Sequence, residues 1–275
     1  ISMLSTDSEG LIVIGADQKS TEKVLSDIFK GSDGKLILTD TKTAEAASLI
    51  SPCICAAMES LSNELANICE AVGCDAAELM KIIGKEELDP SLGLGDNKTL
   101  TSLKALLNIA DRHGYRPDLL KAIMKVNECQ ALRAIGLLKE ELGSLKGKRI
   151  AILGLAYKEG SSKVENSRAF VIAVELLAQG AKVVGYDALA SSEFIRLLPG
   201  ISYASSARDA LEGMDGCIIQ TAEEEFARLG KQDFDLMRTK VVIDGRRILS
   251  PAKVERYGVR LRAIGLGKRR STRRV

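Results

Sequence analysis

Tryptophan is missing from this sequence altogether, and histidine occurs once, at His113. A single imidazole leaves a His/Cys zinc site short of ligands and would force any Ser-His-Asp triad onto that one residue. His113 stands in Asp-Arg-His-Gly-Tyr, just before Gly114, where the ordinary use of such a pair is to close a helix. No metal is expected. Runs of eighteen or so apolar residues are also lacking, and ISMLSTDSEG at the start has no basic-then-apolar layout, so neither a membrane span nor a signal peptide is expected and the setting is read as cytoplasmic. Charge of one sign is scarce too: 39 basic against 37 acidic side chains leave a net +2, with no global pull toward nucleic acid or membrane. The six cysteines, Cys53, Cys55, Cys69, Cys74, Cys129 and Cys217, avoid a C-x-x-C spacing. They read as buried thiols. What is present, 45% hydrophobic and 28% charged residues in 275, suits a globular protein of two domains.

The dominant feature is a helix from Thr43 to Val72. Ala46, Ile50, Cys53, Ala57, Leu61, Leu65, Ile68 and Val72 recur at steps of three and four, the spacing of one helix face, and such a face is expected to be buried. Asp40 and Thr41 offer N-caps and Gly73 a left-handed stop. About thirty residues of helix run roughly 45 Å, longer than one small domain needs, so the helix is expected to join two halves or two subunits. Ala44, Ala47, Ser48, Ala56 and Ala66 would let another helix approach closely. Pro52 is expected to bend or break the run by removing a donor.

Around this helix the chain divides. Residues 1–40 hold strands at 11–14 and 35–39 flanking an amphipathic helix at 21–29, a β-α-β piece too small to cover its own apolar faces. Residues 41–145 read as almost wholly helical, with further helices at 76–83, 100–112 and 118–142 and a break at 89–95. From Lys146 strands at 149–153, 182–186, 216–221, 240–244 and 260–264 alternate with helices, the pattern of a doubly wound parallel sheet. The last nine residues, 267–275, carry Lys268, Arg269, Arg270, Arg273 and Arg274 without periodicity, and disorder is expected there.

The loop after Gly154 follows a strand and precedes a helix, where a dinucleotide or phosphate fingerprint would sit. It is not G-x-G-x-x-G, and an ordinary strand-helix connection fits the spacing equally well. Lys158 is the one basic group placed there to meet an anion. Asp187 closes the next strand farther on than a ribose-binding acid usually lies, which favours a capping or turn role. Glu223, Glu224 and Glu225 read as a solvated helix start favoured by the macrodipole.

Taken in order, T-A-E at Thr43, N-E-L-A-N-I-C-E-A-V-G-C-D at Asn63, V-N-E-C-Q at Val126, G-K-R-I-A-I-L-G-L-A-Y-K at Gly147, G-Y-D at Gly185 and V-I-D-G-R-R-I-L at Val242 resemble the UDP-glucose/GDP-mannose dehydrogenase family. Members of that family oxidise the C6 alcohol of a nucleotide sugar to a uronic acid with NAD. The resemblance implies an α/β fold: a helical dimerisation core around one long helix plus a C-terminal doubly wound, Rossmann-like domain. Residues 1–40 would be the last strands of an N-terminal NAD-binding Rossmann domain, 41–145 the central dimerisation domain and 146–266 the nucleotide-sugar domain. A homodimer through the helix from Thr43 to Val72 and a nucleotide-sugar ligand follow from the same resemblance.

The departures are as informative. The family's helix-borne lysine and asparagine align with Ser48 and Pro52. Its G-F-G-G-S-C-x-P-K-D loop aligns with the run from Gly93 to Ser102, which keeps Gly93 and Gly95 but puts Lys98 at the cysteine and Ser102 at the aspartate. Two oxidations through a thiohemiacetal need that thiol, and an ammonium cannot form the thioester. The chain is also shorter between Gly84 and Leu88, where the family carries an arginine-bearing segment. Lys158 and Arg246 match basic cofactor and substrate contacts, while D-D-x-R is replaced by Ser162, Lys163, Val164 and Glu165. The resemblance therefore implies a homologue impaired or inactive in this form. Two alternatives are a structural or regulatory partner that dimerises with an active paralogue, and an oxidoreductase of different substrate in which Lys98 serves as acid or base.

Overall fold

The structure, a computed structural model, describes residues 2–6, 11–30 and 35–267; the basic stretch expected to be disordered falls, but for Gly267, outside them. Strands β1 (Ser2–Thr6), β2 (Leu11–Gly15) and β3 (Leu36–Thr39) form a three-stranded sheet, β1 antiparallel to β2 and β2 parallel to β3 across helix α1 (Lys19–Ile28). The strand-helix-strand part matches the reading from sequence, whereas β1 adds a strand that its short apolar pair Met3-Leu4 does not announce.

Helix α2 (Thr41–Val72) spans 32 residues. The Asp40 carboxylate accepts the Thr43 N–H at 2.9 Å, and Gly73 closes the other end at φ +87°. Pro52 does not break it: the helix is continuous, because a lone proline removes one hydrogen bond while the turns on either side keep theirs. Helices α3 (Ala76–Ile82), α4 (Asn97–Arg112) and α5 (Asp118–Leu142) follow, with His113 as the C-cap of α4, as expected. Cys53 and Ala56 of α2 pack against Leu103 of α4 and Ile123 of α5. The small residues Ala44, Ala56 and Ala66 are buried, as helix-on-helix approach requires.

The apolar stripe that the sequence marks for burial is instead largely exposed: Ile50 46%, Leu61 51%, Ile68 53% and Val72 72%, with Ile54 and Met58 alongside. The face turned inward carries Cys53, Ala56, Ser60, Asn63, Ala66 and Glu70. Several polar groups there are bonded: the Asn63 amide oxygen accepts the Ser91 N–H at 2.7 Å, Glu70 accepts the Gly265 N–H at 2.8 Å and the Ser60 hydroxyl donates to Ile123 O at 3.3 Å.

Beyond α5 come β4 (Arg149–Leu153), α6 (Arg168–Ala178), β5 (Lys182–Tyr186), α7 (Ser191–Leu197), β6 (Ser202–Tyr203), α8 (Ala207–Leu211), β7 (Gly216–Ile219), α9 (Glu224–Ala227), α10 (Lys231–Phe234), β8 (Val241–Asp244), α11 (Pro251–Glu255) and β9 (Arg260–Ala263). The strands form one six-stranded parallel sheet in the order β6-β5-β4-β7-β8-β9, so the chain reverses direction between β4 and β7. That is the doubly wound arrangement, whose ligand crevice lies at the carboxyl ends of the strands flanking the reversal. Strands β4, β7 and β8 are buried almost along their whole length, which explains their unbroken Ile/Val/Leu runs.

Only Cys53, Cys69 and Cys217 are buried thiols; Cys55, Cys74 and Cys129 are exposed, on the outer faces of α2 and α5 and in the turn after α2. Their apolar neighbourhoods in sequence belong to helix faces other than their own.

Asp215, entering β7, accepts the Arg149 N–H at 2.8 Å and the Arg238 Nε at 2.8 Å. Burial alone would raise its pKa, but these bonds and the Arg238 charge outweigh it and hold the carboxyl below its ordinary value. A depressed folded-state pKa contributes stability present above the unfolded value and lost as pH falls through the folded one. Asp215→Asn is therefore expected to flatten the decline of the urea midpoint between roughly pH 5 and pH 2. An unchanged pH profile would show that Asp215 is not linked to folding.

Candidate functional site

The strand-to-helix turn after β4 is where an anion would be held, and it is already engaged. The Leu155 and Ala156 amides donate to Asp187 Oδ2 at 2.8 and 3.2 Å, and Asp187 Oδ1 accepts the Leu189 and Ala190 amides at 2.9 and 2.8 Å. Asp187 thus has the turn-forming role read from the sequence. Gly154, at φ +92°, lets β4 leave the sheet against Thr221: a Cβ there would stand 2.7 Å from the Thr221 nitrogen. The long loop is held by Ser167, whose hydroxyl donates to Ala156 O at 3.1 Å, and by Glu223, whose carboxylate accepts the Gly160 N–H at 2.8 Å. Glu225 accepts the Tyr186 hydroxyl at 3.2 Å, so two of the three consecutive glutamates are used internally rather than merely solvated.

Residues 89–96 cross from the helical region to this loop. Asn127 of α5 clamps Leu94, its Oδ1 accepting the Leu94 N–H at 2.5 Å and its Nδ2 donating to Leu94 O at 3.4 Å. The guanidinium of Arg168, at the start of α6, donates to the same carbonyl. Gly93, at φ +95°, and Gly95 permit this closeness: a Cβ at Gly93 would meet Asn127 O at 2.8 Å, and one at Gly95 would meet Asn166 O at 2.9 Å. Both glycines serve the packing of this crossing segment, a role their spacing alone does not reveal.

The crossing segment and the Gly154 loop enclose a cleft of about 270 Å³ lined by Asp96, Asn97, Lys98, Tyr157, Lys163 and Glu165. Lys98 is exposed in the first turn of α4, and Ser102 lies buried one turn further on. The Asp96 carboxylate caps α4 through the Thr99 N–H at 2.8 Å. Burial would raise its pKa, but bonds from Thr99 and the Lys158 charge bring it below its ordinary value. Lys158 is exposed, its Nζ 5.6 Å from the centre of the Tyr157 ring. Lys98 and Lys163 line the cleft, so Lys158 is not the lone basic group near this loop.

Arg246 sits apart, in a second cleft of about 340 Å³ with Cys55, Met58, Glu59, Ser62, Glu87, Leu88, Asp89 and Ser91. Its guanidinium lies 3.8 Å from Glu159. Glu59, bonded by the Ser91 hydroxyl, and Asp89 both have pKa values raised by burial, with Arg246 opposing the rise. Ser48 donates its hydroxyl to Glu45 O at 2.7 Å, and neither it nor Pro52 lines either cleft. The sequence reading missed Arg168, Asn127 and Glu59. Arg168 and Asn127 could be suspected only as polar residues in otherwise apolar helix faces.

NAD, implied by the resemblance, requires a turn that presents bare amides to a pyrophosphate. At the end of β2, Gly15 is used to seat α2, since a Cβ there would lie 2.7 Å from Ala44 Cβ and 2.9 Å from Thr41 Cα. At the end of β4 the amides belong to Asp187. The described residues do not fit a dinucleotide cradle.

A six-stranded doubly wound sheet joined to a long-helix bundle, with the crevice between them framed by a glycine-bearing crossing segment, defines an α/β protein of the doubly wound class. Residues 42–129 match the central domain of the UDP-glucose/GDP-mannose dehydrogenase family, and residues 151–251 match its UDP binding domain. Together these matches take in more than half of the chain, which belongs to this family.

The chain is 38% identical over 250 residues to the UDP-glucose 6-dehydrogenase AglM of Haloferax volcanii, covering 87% of this chain and 58% of that protein. It is 32% identical to the UDP-glucose 6-dehydrogenase of Rickettsia conorii, covering 92% of this chain and 61% of that one. The solved UDP-glucose dehydrogenase of Pyrobaculum islandicum superposes with a TM-score of 0.80 at 28% identity, over 86% of this chain and 55% of its own. The chain thus spans about three fifths of the length of the curated relatives it matches.

Proposed function

We propose that this chain is the central and nucleotide-sugar portion of a nucleotide-sugar 6-dehydrogenase homologue whose thiol chemistry has been lost. Residues 1–40 are the closing strands of a cofactor domain, 41–145 the dimerisation core and 146–266 the nucleotide-sugar domain, with 267–275 a basic tail. One observation carries the reading: the cleft under the crossing segment presents Lys98, with Lys163 and Tyr157 opposite, and no thiol. A lysine ammonium cannot add to an aldehyde to give the thioester that a second oxidation at the same carbon requires. Ser102, Ser48 and Pro52 supply neither the carboxylate nor the ammonium and amide that the resemblance implies would move protons and hold charge. Lys158 and Arg246 remain as cationic groups able to meet a diphosphate, with Gly93 and Gly95 shaping the segment between them. A cytoplasmic setting belongs to the same proposal.

The deciding experiment follows NAD reduction by the full-length protein with UDP-glucose and with GDP-mannose, beside calorimetric titration of the same nucleotide sugars. Weak binding without turnover is expected; robust turnover would overturn the reading.

The exposed stripe Ile50, Ile54, Met58, Leu61, Ile68 and Val72 supports an interface along α2, since so long an apolar row is seldom left to water. A second copy of the chain is the proposed occupant. Leu61→Asp is expected to shift the mass in solution from dimer to monomer by light scattering, and an unchanged mass would remove α2 as the interface. The same stripe also suits a structural or regulatory partner of an active paralogue. A protein that self-associates fully and ignores such a paralogue in mass measurements contradicts that second reading.

A further inference from the structure

At the end of α2 two thiols are brought together by the way the helix stops. Gly73 takes the left-handed conformation at φ +87°, and the amides of Gly73 and Cys74 both turn back to the carbonyl of Cys69, at 2.9 and 3.0 Å. Helix ends of this kind set the side chain just beyond the glycine against the one in the last turn. Standard bond lengths and a 3.0 Å bond from Cys74 N to Cys69 O keep the two Cα atoms within roughly 7 Å, even in the most extended case. That is the separation a disulfide can span without backbone rearrangement. Cys69 is 3% exposed, while Cys74 faces solvent.

We propose that Cys69 and Cys74 are a dithiol pair that closes to a disulfide over the C-terminal end of α2. The oxidant is a small disulfide of the oxidised-glutathione class. The Cys74 thiolate attacks one of its sulfurs, forming a mixed disulfide and releasing one small thiolate. Cys69, its proton passed to a solvent base, then attacks Cys74 Sγ, forming the internal S–S bond and expelling the second small thiol. Two protein thiols lose two electrons in all, and the small disulfide takes them up as two thiols. Burial first, and then the neighbouring Cys74, push the Cys69 pKa up to about 11, so the second step is the slower one.

The pair lies on a seam of the fold. Cys74 O accepts the Gly267 N–H at 2.9 Å, Ala76 N donates to Gly265 O at 2.8 Å, and Asp75 pairs with Arg247 at 2.7 Å. A Cβ at Gly267 would stand 2.6 Å from the Cys74 nitrogen, so the turn after α2 packs directly on the segment after β9 with no space for a side chain between them. Oxidation at Cys74 therefore acts where the helical region meets the doubly wound sheet.

The test treats the full chain with oxidised glutathione and maps the products by non-reducing digestion and mass spectrometry. The expected product is a segment from Thr43 to Lys81 whose bridge is placed by fragmentation between Cys69 and Cys74, with a glutathione adduct on exposed Cys55 of the same segment. Exposed Cys129 is expected to retain a glutathione adduct. Cys69→Ala should leave Cys74 at the adduct stage, and Cys74→Ser should leave Cys69 a free thiol. An adduct persisting on wild-type Cys74 as it does on Cys129, an unreacted Cys74, or a bridge from Cys74 to any other thiol overturns the proposal.

Discussion

Replacing Glu70 by alanine is expected to lower the stability of the chain by about 2–4 kcal/mol, read from the urea midpoint. The Glu70 side chain is 1% exposed and takes three donors: the Arg133 guanidinium, with Nε at 2.9 Å, and the Gly265 N–H at 2.8 Å. Removing it orphans a buried amide of the turn after β9 and leaves Arg133 without its carboxylate. The Arg133 side chain is one-third exposed and regains water, which keeps the cost below that of a fully buried pair. Glu70→Gln retains an acceptor for Gly265 and is expected to lose roughly half as much. Because α2, α5 and the end of the doubly wound sheet meet at this one carboxylate, amide exchange at Gly265 should accelerate in Glu70→Ala. A midpoint within about 0.5 kcal/mol of wild type would show that the seam does not depend on Glu70.

Features written locally in the chain were legible from it. The ends of α2 follow from Asp40 and Gly73, and the strands from Arg149 onward from short buried runs separated by helices, so the doubly wound class is readable before any contact is known. Which face of α2 turns inward was not legible. Periodicity marks the stripe through Ile50, Leu61 and Ile68, but the buried face is chosen by partners far away in sequence. The Asn63 amide oxygen is bonded by Ser91, 28 residues on, and Glu70 by Gly265, 195 residues on. Strand β6 escaped because two residues carry no alternation. The candidate site was legible only in part. Lys98 and Gly95 do meet the Gly154 loop, while Gly93 packs on α5, yet the contact that fixes the segment, Arg168 on Leu94 O, spans 74 residues and has no local signal. Arg246 and Lys158, paired by resemblance, are not brought into one cleft: Arg246 lines the cleft beside Glu59, and Lys158 lines neither.

Gly154→Ala should be the other costly change, at about 3 kcal/mol, because two penalties coincide there. The first is conformational: φ +92° lies where an L side chain is strained. The second is steric: the new Cβ would stand 2.1 Å from Thr221 Oγ1 and 2.7 Å from the Thr221 nitrogen. A hydroxyl can rotate away, whereas the nitrogen belongs to the backbone leaving β7 and is fixed by the parallel pairing of β4 with β7. Gly154→Ala combined with Thr221→Ala is therefore expected to recover little. Gly160 separates the two penalties. Its φ is +67° but nothing lies within 4 Å of a Cβ there, so Gly160→Ala should cost only about 1 kcal/mol, the conformational part alone. Equal losses at the two glycines, or full rescue by Thr221→Ala, would mean that the β4–β7 crevice can widen. A crevice able to widen could free the Leu155 and Ala156 amides from Asp187, and the anion site after β4 would then be latent rather than closed.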